Sequence, residues 1–168
     1  MTLPLWTPVR GLALRGLEEA THVVEGDPGN EYVALGTAAF WAASLDEQLM
    51  RSFGADYDAV RDADEQGRVL PGIRLVRNGI THGAVIAVRP AGLSWPLTFP
   101  LDWGTSIYGP LGTLLADWIG DRHQNKSVPQ QDAVYRAHLE GRELPGPLNA
   151  AIGWFTRLER VQWDLDLL

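Results

Sequence analysis

A short segment, Arg77–His82 with the sequence RNGITH, contains the side chains of this chain that are best suited to chemistry. Arginine stabilises negative charge in a phosphorane-like transition state, and histidine titrates near neutral pH, so it can accept or donate a proton. The Asn78 amide can orient the imidazole or hold a ribose hydroxyl. RNA supplies its own nucleophile, the 2′-hydroxyl, and this chemistry needs no metal ion. We therefore predict that Arg77, Asn78 and His82 are catalytic residues for phosphodiester cleavage.

The spacing within this segment is compatible with one helix. Asn78 and His82 are four residues apart and therefore share a helix face. Arg77 precedes His82 by five residues, about 140° around the helix, but its long side chain can swing toward that face, particularly if Gly79 loosens the turn. An arginine and a histidine at this spacing also occur by chance in many helices, so a purely structural role is the alternative.

A cationic interval surrounds this segment. No carboxylate occurs between Glu65 and Asp102, although the net charge of the chain is −7. The interval contains His82 and four arginines, Arg68, Arg74, Arg77 and Arg89. Because phosphate groups reward a cationic surface, we predict that Arg74 and Arg68 line a groove and bind the RNA substrate. The alternative is that buried helix and hairpin segments simply exclude acids.

The composition excludes several other kinds of site. The 168 residues include no cysteine, which excludes thiolate catalysis, disulfides and cysteine-ligated metal centres. No phosphate-binding glycine loop, dinucleotide fingerprint, zinc-binding helix motif or serine nucleophile elbow occurs. The acidic run Asp58–Glu65 is better explained as a solvated helix face than as a cation site. We therefore expect neither a cofactor nor a bound metal.

The chain shows no sign of a membrane association. Its first residues lack the basic start and the long apolar core of a secretory signal, and no apolar run approaches the roughly 20 residues that cross a bilayer. The average acidity also argues against a general affinity for anionic lipid. We therefore expect a cytoplasmic protein with no membrane partner.

Apolar periodicity predicts a mainly α-helical fold. The first helix begins at Pro8 with Thr7 as its N-cap. Its predicted buried stripe comprises Val9, Leu12, Leu17, Ala20 and Val24. The second helix, about residues 31–53, ends at Gly54. Its apolar seam advances in alternating steps of three and four and comprises Leu35, Ala38, Ala42, Leu45 and Leu49. An acidic third helix follows over residues 56–66.

The fourth helix begins near residue 70 and carries the RNGITH segment. Its predicted core stripe comprises Leu70, Ile73, Val76 and Ile80. Whether it continues through residues 84–88 stays open, because length favours a helix and the β-branched residues favour a strand. Prolines and tryptophans then predict a small β-hairpin insert around residues 84–110. Trp95 and Trp103 in this insert could form a flap over the helices or a stacking platform for bases.

We expect one domain over residues 1–168, without internal repeats. Its helical core covers about residues 8–88, and a β or irregular insert covers about residues 89–126. Helices close the domain over about residues 127–162.

The pattern of Arg77, Asn78 and His82 on a late helix of an all-α domain resembles the HEPN (higher eukaryote and prokaryote nucleotide-binding) superfamily. The signature of that superfamily is an arginine and a histidine separated by four to six residues. The residue directly after the arginine is very often asparagine. The long alanine-rich second helix also suits that fold, and the resemblance covers roughly residues 8–88. Two glycines depart from the pattern: Gly79 lies within the motif, and Gly83 directly follows it. The wider pattern is also similar to a group of bacterial proteins without an assigned activity.

The resemblance implies a HEPN-like helical bundle that forms a homodimer and brings two motifs together across a shared cleft. Many members are metal-independent endoribonucleases that act as toxins or in phage defence, often with a nucleotidyltransferase antitoxin. It further implies that Arg77 and His82 are the catalytic pair and that Asn78 organises them.

Two other functions stay open. One is a non-catalytic interaction protein, in which Asn78 and His82 lie inside a helix–helix interface and Arg77 pairs with an acid of the third predicted helix. The other is nucleotide or small-ligand binding beneath a flap formed by Trp95 and Trp103.

Overall fold

The computed structural model describes residues 5–27, 29–84, 86–88, 105–117 and 128–166. About 80% of these residues are helical, which confirms the prediction of a mainly α-helical bundle. The described helices are α1 (Pro8–Gly26), α2 (Glu31–Ala63), α3 (Leu70–Thr81), α4 (Leu111–Asp117), α5 (Val128–His138) and α6 (Pro145–Asp166). A 3-10 turn at Gly67–Val69 precedes α3, and two short strands are β1 (Ala87–Val88) and β2 (Ile107–Tyr108).

Helix α1 begins as predicted, and three of its five predicted inward residues, Leu17, Ala20 and Val24, are buried. Thr7 caps the helix, because its Oγ1 accepts a hydrogen bond from the Arg10 backbone N–H at 3.4 Å, and Pro8 occupies the first turn. The predicted inward positions Val9 and Leu12 are exposed. The buried positions follow steps of three and four through Arg10, Leu14, Leu17, Thr21 and Val24. Two members of this seam, Arg10 and Thr21, are polar, and apolar periodicity does not predict them as buried.

The polar members of that seam are hydrogen-bonded. The Arg10 guanidinium donates to the Leu5 carbonyl and to the Ser52 hydroxyl, both at 2.6 Å, and the Thr21 hydroxyl donates to the Leu17 carbonyl at 2.8 Å. Buried polar groups are tolerated when they are hydrogen-bonded, so an arginine can occupy a core position here.

Helix α2 has the predicted apolar seam. All five predicted members are fully buried: Leu35, Ala38, Ala42, Leu45 and Leu49. Gly54, at which this helix was predicted to end, has φ 59° and ψ −137°, outside the helical region, and it kinks the helix there. The acidic segment that follows resumes as helix and continues to Ala63 within the same element. The small alanines of the seam allow α1 and α3 to pack closely against α2.

Helix α3 lies between α2 and α5. Its predicted inward residues Leu70, Ile73 and Val76 are fully buried, and Ile80 is half-buried. It ends at Thr81, and Gly83 follows with φ 80°, a left-handed conformation that closes the helix. The helix therefore does not continue into residues 84–88, and of these residues Ala87 and Val88 form β1.

Two short strands lie within the interval of the predicted hairpin, residues 84–110, on either side of its prolines and tryptophans at 90–103, which are outside the described residues. β1 pairs antiparallel with β2, with Ala87 opposite Tyr108 and Val88 opposite Ile107. Trp95, Trp103 and Arg89 lie outside the described residues. Helix α4 falls inside the interval for which we predicted strand or irregular structure. Its Leu111 and Leu114 are buried in the core.

The C-terminal helices complete the core. Helix α6 packs against α1, and its Leu148, Ala151 and Phe155 are fully buried. Among the described helices, none combines the length and the apolar composition that crossing a bilayer requires.

Candidate functional site

The predicted catalytic residues lie at the C-terminal end of α3. Arg77 and Asn78 are half-buried in its last turns, and His82 is the residue that caps it. The inward face of α3, formed by Ile73 and Val76, packs into the core and fixes the helix. The polar segment is therefore placed by a well-packed helix rather than by a free loop.

The backbone of His82 is held by the closure of the helix. Its N–H donates to the carbonyls of Asn78 at 3.2 Å and Gly79 at 3.0 Å. The N–H of Gly83 donates to Ile80 at 3.1 Å, and the N–H of Ala84 donates to Gly79 at 2.9 Å, which is the Schellman pattern of helix ends. The His82 side chain is exposed. An accessible imidazole thus sits on a fixed backbone.

The Arg77 guanidinium is ion-paired with Glu47 of α2. The two side chains are 24% and 28% exposed, so the pair lies at the edge of the α2–α3 interface. The Arg77 Nε is buried and finds no hydrogen-bond partner among the described residues. An acidic partner for Arg77 was expected under the interaction-protein hypothesis from the third predicted helix; it comes instead from the α2 segment before Gly54.

Arg74 lies deeper than Arg77. Its side chain is 12% exposed and ion-paired with Asp46, whose side chain has no exposed surface. Arg61 approaches the same carboxylate, and the Tyr57 hydroxyl donates to it at 2.9 Å. Arg74, predicted to bind substrate, therefore belongs to an interior charge network that joins α2 to α3.

Arg68 lies at the opposite end of α3. It belongs to the 3-10 turn, and its Nε donates to the Asp64 carbonyl at 3.2 Å. Fourteen residues separate it from His82, which corresponds to roughly 20 Å along a helix. Its charge also acts on His138 of α5. Burial lowers the pKa of that histidine, and the charges of Arg68 and Arg142 lower it further.

The structure thus divides the five predicted site residues into two groups. Arg77, Asn78 and His82 share the C-terminal end of α3, whereas Arg74 is buried in the α2–α3 interface and Arg68 lies beyond the start of the helix.

Sequence reasoning missed Asp46 and Glu47, the α2 carboxylates that hold the two α3 arginines. The signal was available for Asp46, because an acid beside the Leu45–Leu49 part of an apolar seam requires a buried cationic partner.

An exposed apolar surface borders the motif. It is formed by the start of α2 and by Ile80, which lies between Asn78 and His82. The surface encloses a shallow pocket of about 490 Å³ lined by Tyr32, Val33, Gly36, Thr37, Phe40, Trp41 and Ile80. Exposed apolar patches of this kind are characteristic of protein contact sites.

Among the described residues, no group of three or more His, Asp and Glu side chains is arranged to hold a metal ion. The acidic run that begins at Asp58 includes two side chains, those of Asp58 and Asp62, that pair with Arg61 instead.

Comparison with known proteins gave no match: no protein-family model, no curated protein and no solved structure matched this chain.

Proposed function

We propose that this chain is a HEPN-like, metal-independent endoribonuclease of the toxin or defence type. In the proposed reaction the 2′-hydroxyl of RNA attacks the adjacent phosphate, and the bond from phosphorus to the 5′-oxygen breaks. His82 exchanges the protons in general acid–base catalysis, and Arg77 stabilises the negative charge of the transition state. Asn78 positions the imidazole or the ribose.

The observation that supports this proposal is the placement of His82. Its imidazole is exposed at a helix end whose backbone is fixed by three consecutive N–H groups. Arg77 lies less than two turns away on the same helix, and 24% of its side chain is exposed. A general acid–base group must be accessible to substrate and held in place, and this helix end meets both requirements.

A substrate phosphate must displace Glu47 from Arg77 at least in part, because the two side chains form an ion pair. A phosphate that contacts Arg77 competes with Glu47 for the guanidinium. Partly exposed ion pairs contribute at most about 1 kcal/mol, so a phosphate can compete at modest cost. Arg68 would contact the RNA backbone several nucleotides from the cleaved bond, and Arg74 would support α3 through Asp46.

In this proposal a homodimer brings two motifs together. The apolar surface around Val33 and Phe40 supports a contact there, because it lies directly beside the motif through Ile80. Two copies that meet on this surface would place both His82 side chains near a shared RNA strand.

The test is cleavage of single-stranded RNA by the full chain in the presence of EDTA. His82→Ala should reduce the cleavage rate by at least about 100-fold, and Arg77→Ala should have a loss of similar size. His22→Ala and Arg51→Ala remove an exposed histidine and an exposed arginine elsewhere and should leave the rate unchanged. Circular dichroism must show that all four variants are folded. Cleavage by His82→Ala at the wild-type rate would remove the proposal.

A second candidate function is that of a non-catalytic interaction protein. It is favoured by the Arg77–Glu47 ion pair, which satisfies the guanidinium without a substrate, and by the neighbouring apolar surface. The matched variants Val33→Ser and Val60→Ser separate a contact surface from general solubility, since the two valines of α2 are 71% and 60% exposed. Loss of self-association in sedimentation by Val33→Ser alone, together with no RNA cleavage by the wild type, would support this function.

A further inference from the structure

A second pocket lies at the other end of the molecule, between the start of α1 and the end of α6. It encloses about 450 Å³, within the range of small-molecule sites. Its walls include Trp6, Gly11, Leu12, Arg15, Glu159 and Gln162. None of these residues belongs to the proposed ribonuclease site.

The wall at Trp6 is fixed by hydrogen bonds. The Gln162 Oε1 accepts from the backbone N–H groups of Leu5 at 2.7 Å and Trp6 at 3.2 Å, which ties the N-terminal segment to α6. Arg10 donates to the Leu5 carbonyl from the other side. A pocket with a preformed wall loses little conformational entropy when a ligand enters it.

The indole of Trp6 is a buried donor that has no acceptor in the described part of the chain. The residue is 8% exposed, and its Nε1 finds no hydrogen-bond partner among the described residues. Leaving a buried donor unpaired is costly, and a ligand acceptor in the pocket would satisfy it.

Gly11 makes the space beside that donor. A Cβ at this position would lie 3.6 Å from the Trp6 Nε1 and 3.5 Å from the Glu159 Oε1. A donor and a carboxylate therefore flank one glycine. Any larger side chain at position 11 would fill the space between them.

Two side chains of opposite charge, Arg15 and Glu159, line the pocket. Neither Arg15 nor Glu159 forms an ion pair with a described residue, although both line the pocket. Helical side chains lean toward the helix N-terminus, which brings Arg15 back over Leu12 toward Gly11. Trp6, Pro8 and Leu12 supply the apolar remainder of the lining.

We propose that this pocket binds a free α-amino acid with an apolar side chain. The ligand carboxylate contacts Arg15 and accepts the Trp6 N–H, and its ammonium group contacts Glu159. The apolar side chain lies against Trp6, Pro8 and Leu12. An α-amino acid carries both charges on one carbon, which suits a donor and a carboxylate that flank a single glycine.

Titration calorimetry of the full chain with L-leucine and L-phenylalanine tests this assignment. We expect saturable binding of both, and much weaker binding of 3-phenylpropanoate and 2-phenylethylamine, each of which lacks one charge. Arg15→Gln and Glu159→Gln should each weaken binding at least about 10-fold, as should Trp6→Phe, which keeps the ring and removes the N–H. Arg51→Gln and Glu65→Gln, at exposed positions outside the pocket, are the matched controls and should not change the affinity.

Three results would overturn the proposal. They are no saturable binding of either amino acid to the wild type, an unchanged affinity in both Arg15→Gln and Glu159→Gln, or equal binding of a probe that lacks one of the two charges. None of these results bears on RNA cleavage, which is measured separately with the variants at Arg77 and His82.

Discussion

Asp46 and Arg61 form an ion pair inside the protein, with Nη1 3.2 Å from Oδ1 and with 0% and 4% of the two side chains exposed. Burial disfavours the charged form of Arg61, but the charges of Asp46, Asp62 and Asp58 outweigh it and raise the pKa of the guanidinium. Arg74 pairs with the same Asp46 carboxylate from α3. Two arginines therefore share the Asp46 carboxylate, which links the kinked part of α2 to the helix that carries the motif.

Removing the charge of Asp46 should strongly destabilise the fold. Asp46→Asn leaves Arg61 and Arg74 without their shared counter-charge in a buried position, and breaking a buried pair from one side costs about 3–5 kcal/mol. Urea unfolding at pH 7 measures this loss. Glu47→Gln is the matched control, because its ion pair is partly exposed and contributes at most about 1 kcal/mol. Equal losses in the two variants would contradict the central role of Asp46.

The buried seams of α1 and α2 differ in how far the sequence predicts them. The seam of α2 was predictable because Leu35, Leu45 and Leu49 recur at helical spacing and each contacts the core. The seam of α1 was predictable at Leu17 and Val24. It was not predictable at Arg10, because the guanidinium is satisfied by a hydrogen bond to Ser52, 42 residues later in the chain. Periodicity identifies apolar faces and misses polar residues that the tertiary structure compensates.

The candidate site shows the same division. The end of α3 was predictable as a unit, since Arg77, Asn78 and His82 are close in sequence and belong to one helix end. The fate of Arg74 was not predictable, because its partner Asp46 lies 28 residues earlier on another helix. Pairings between helices depend on packing geometry, which local spacing does not contain.

Raising the pH above 10 should destabilise the protein steeply. Burial raises the pKa of Tyr57, Tyr108 and Tyr135, with further contributions from Asp46, Tyr135 and Glu140 respectively. Above pH 10 the unfolded chain loses these protons while the folded chain keeps them, so the free energy of unfolding falls as pH rises. Each tyrosine contributes about 1.4 kcal/mol per pH unit in this range.

Tyr57→Phe isolates one of these contributions. Unfolding by guanidinium chloride between pH 9 and 11 should show a slope above pH 10 that is about one-third smaller than that of the wild type. At pH 7 the same variant should lose about 1–3 kcal/mol, because the Tyr57 hydroxyl donates to Asp46 at 2.9 Å and accepts from the Trp154 indole at 3.2 Å. An unfolding free energy that does not change between pH 10 and 11 would be inconsistent with buried neutral tyrosines.

Close approach of α1 and α2 at Gly16 should make this glycine intolerant of alanine. A Cβ at position 16 would lie 2.7 Å from the Trp41 Nε1 and 2.8 Å from its Cε2, so the indole must move. Overpacking costs about 1–3 kcal/mol and exceeds the gain in helix propensity. We expect Gly16→Ala to lower the melting temperature. Gly112→Ala in α4, where a Cβ would lie within 4 Å of no other described element, should leave it unchanged or raise it.

Weakening the partner of Arg77 should increase RNA cleavage if Arg77 contacts the reacting phosphate. Glu47→Gln keeps the shape of the side chain and removes the charge that competes for the guanidinium, so the cleavage rate should rise up to about fivefold. Glu18→Gln makes the same change in net charge at an exposed position of α1 and should have no effect. The measurement is the initial rate with single-stranded RNA at matched ionic strength, because general electrostatic effects are screened by salt. A Glu47→Gln rate as low as that of Arg77→Ala would show instead that Glu47 must hold the guanidinium in place, and would contradict the competition between carboxylate and phosphate.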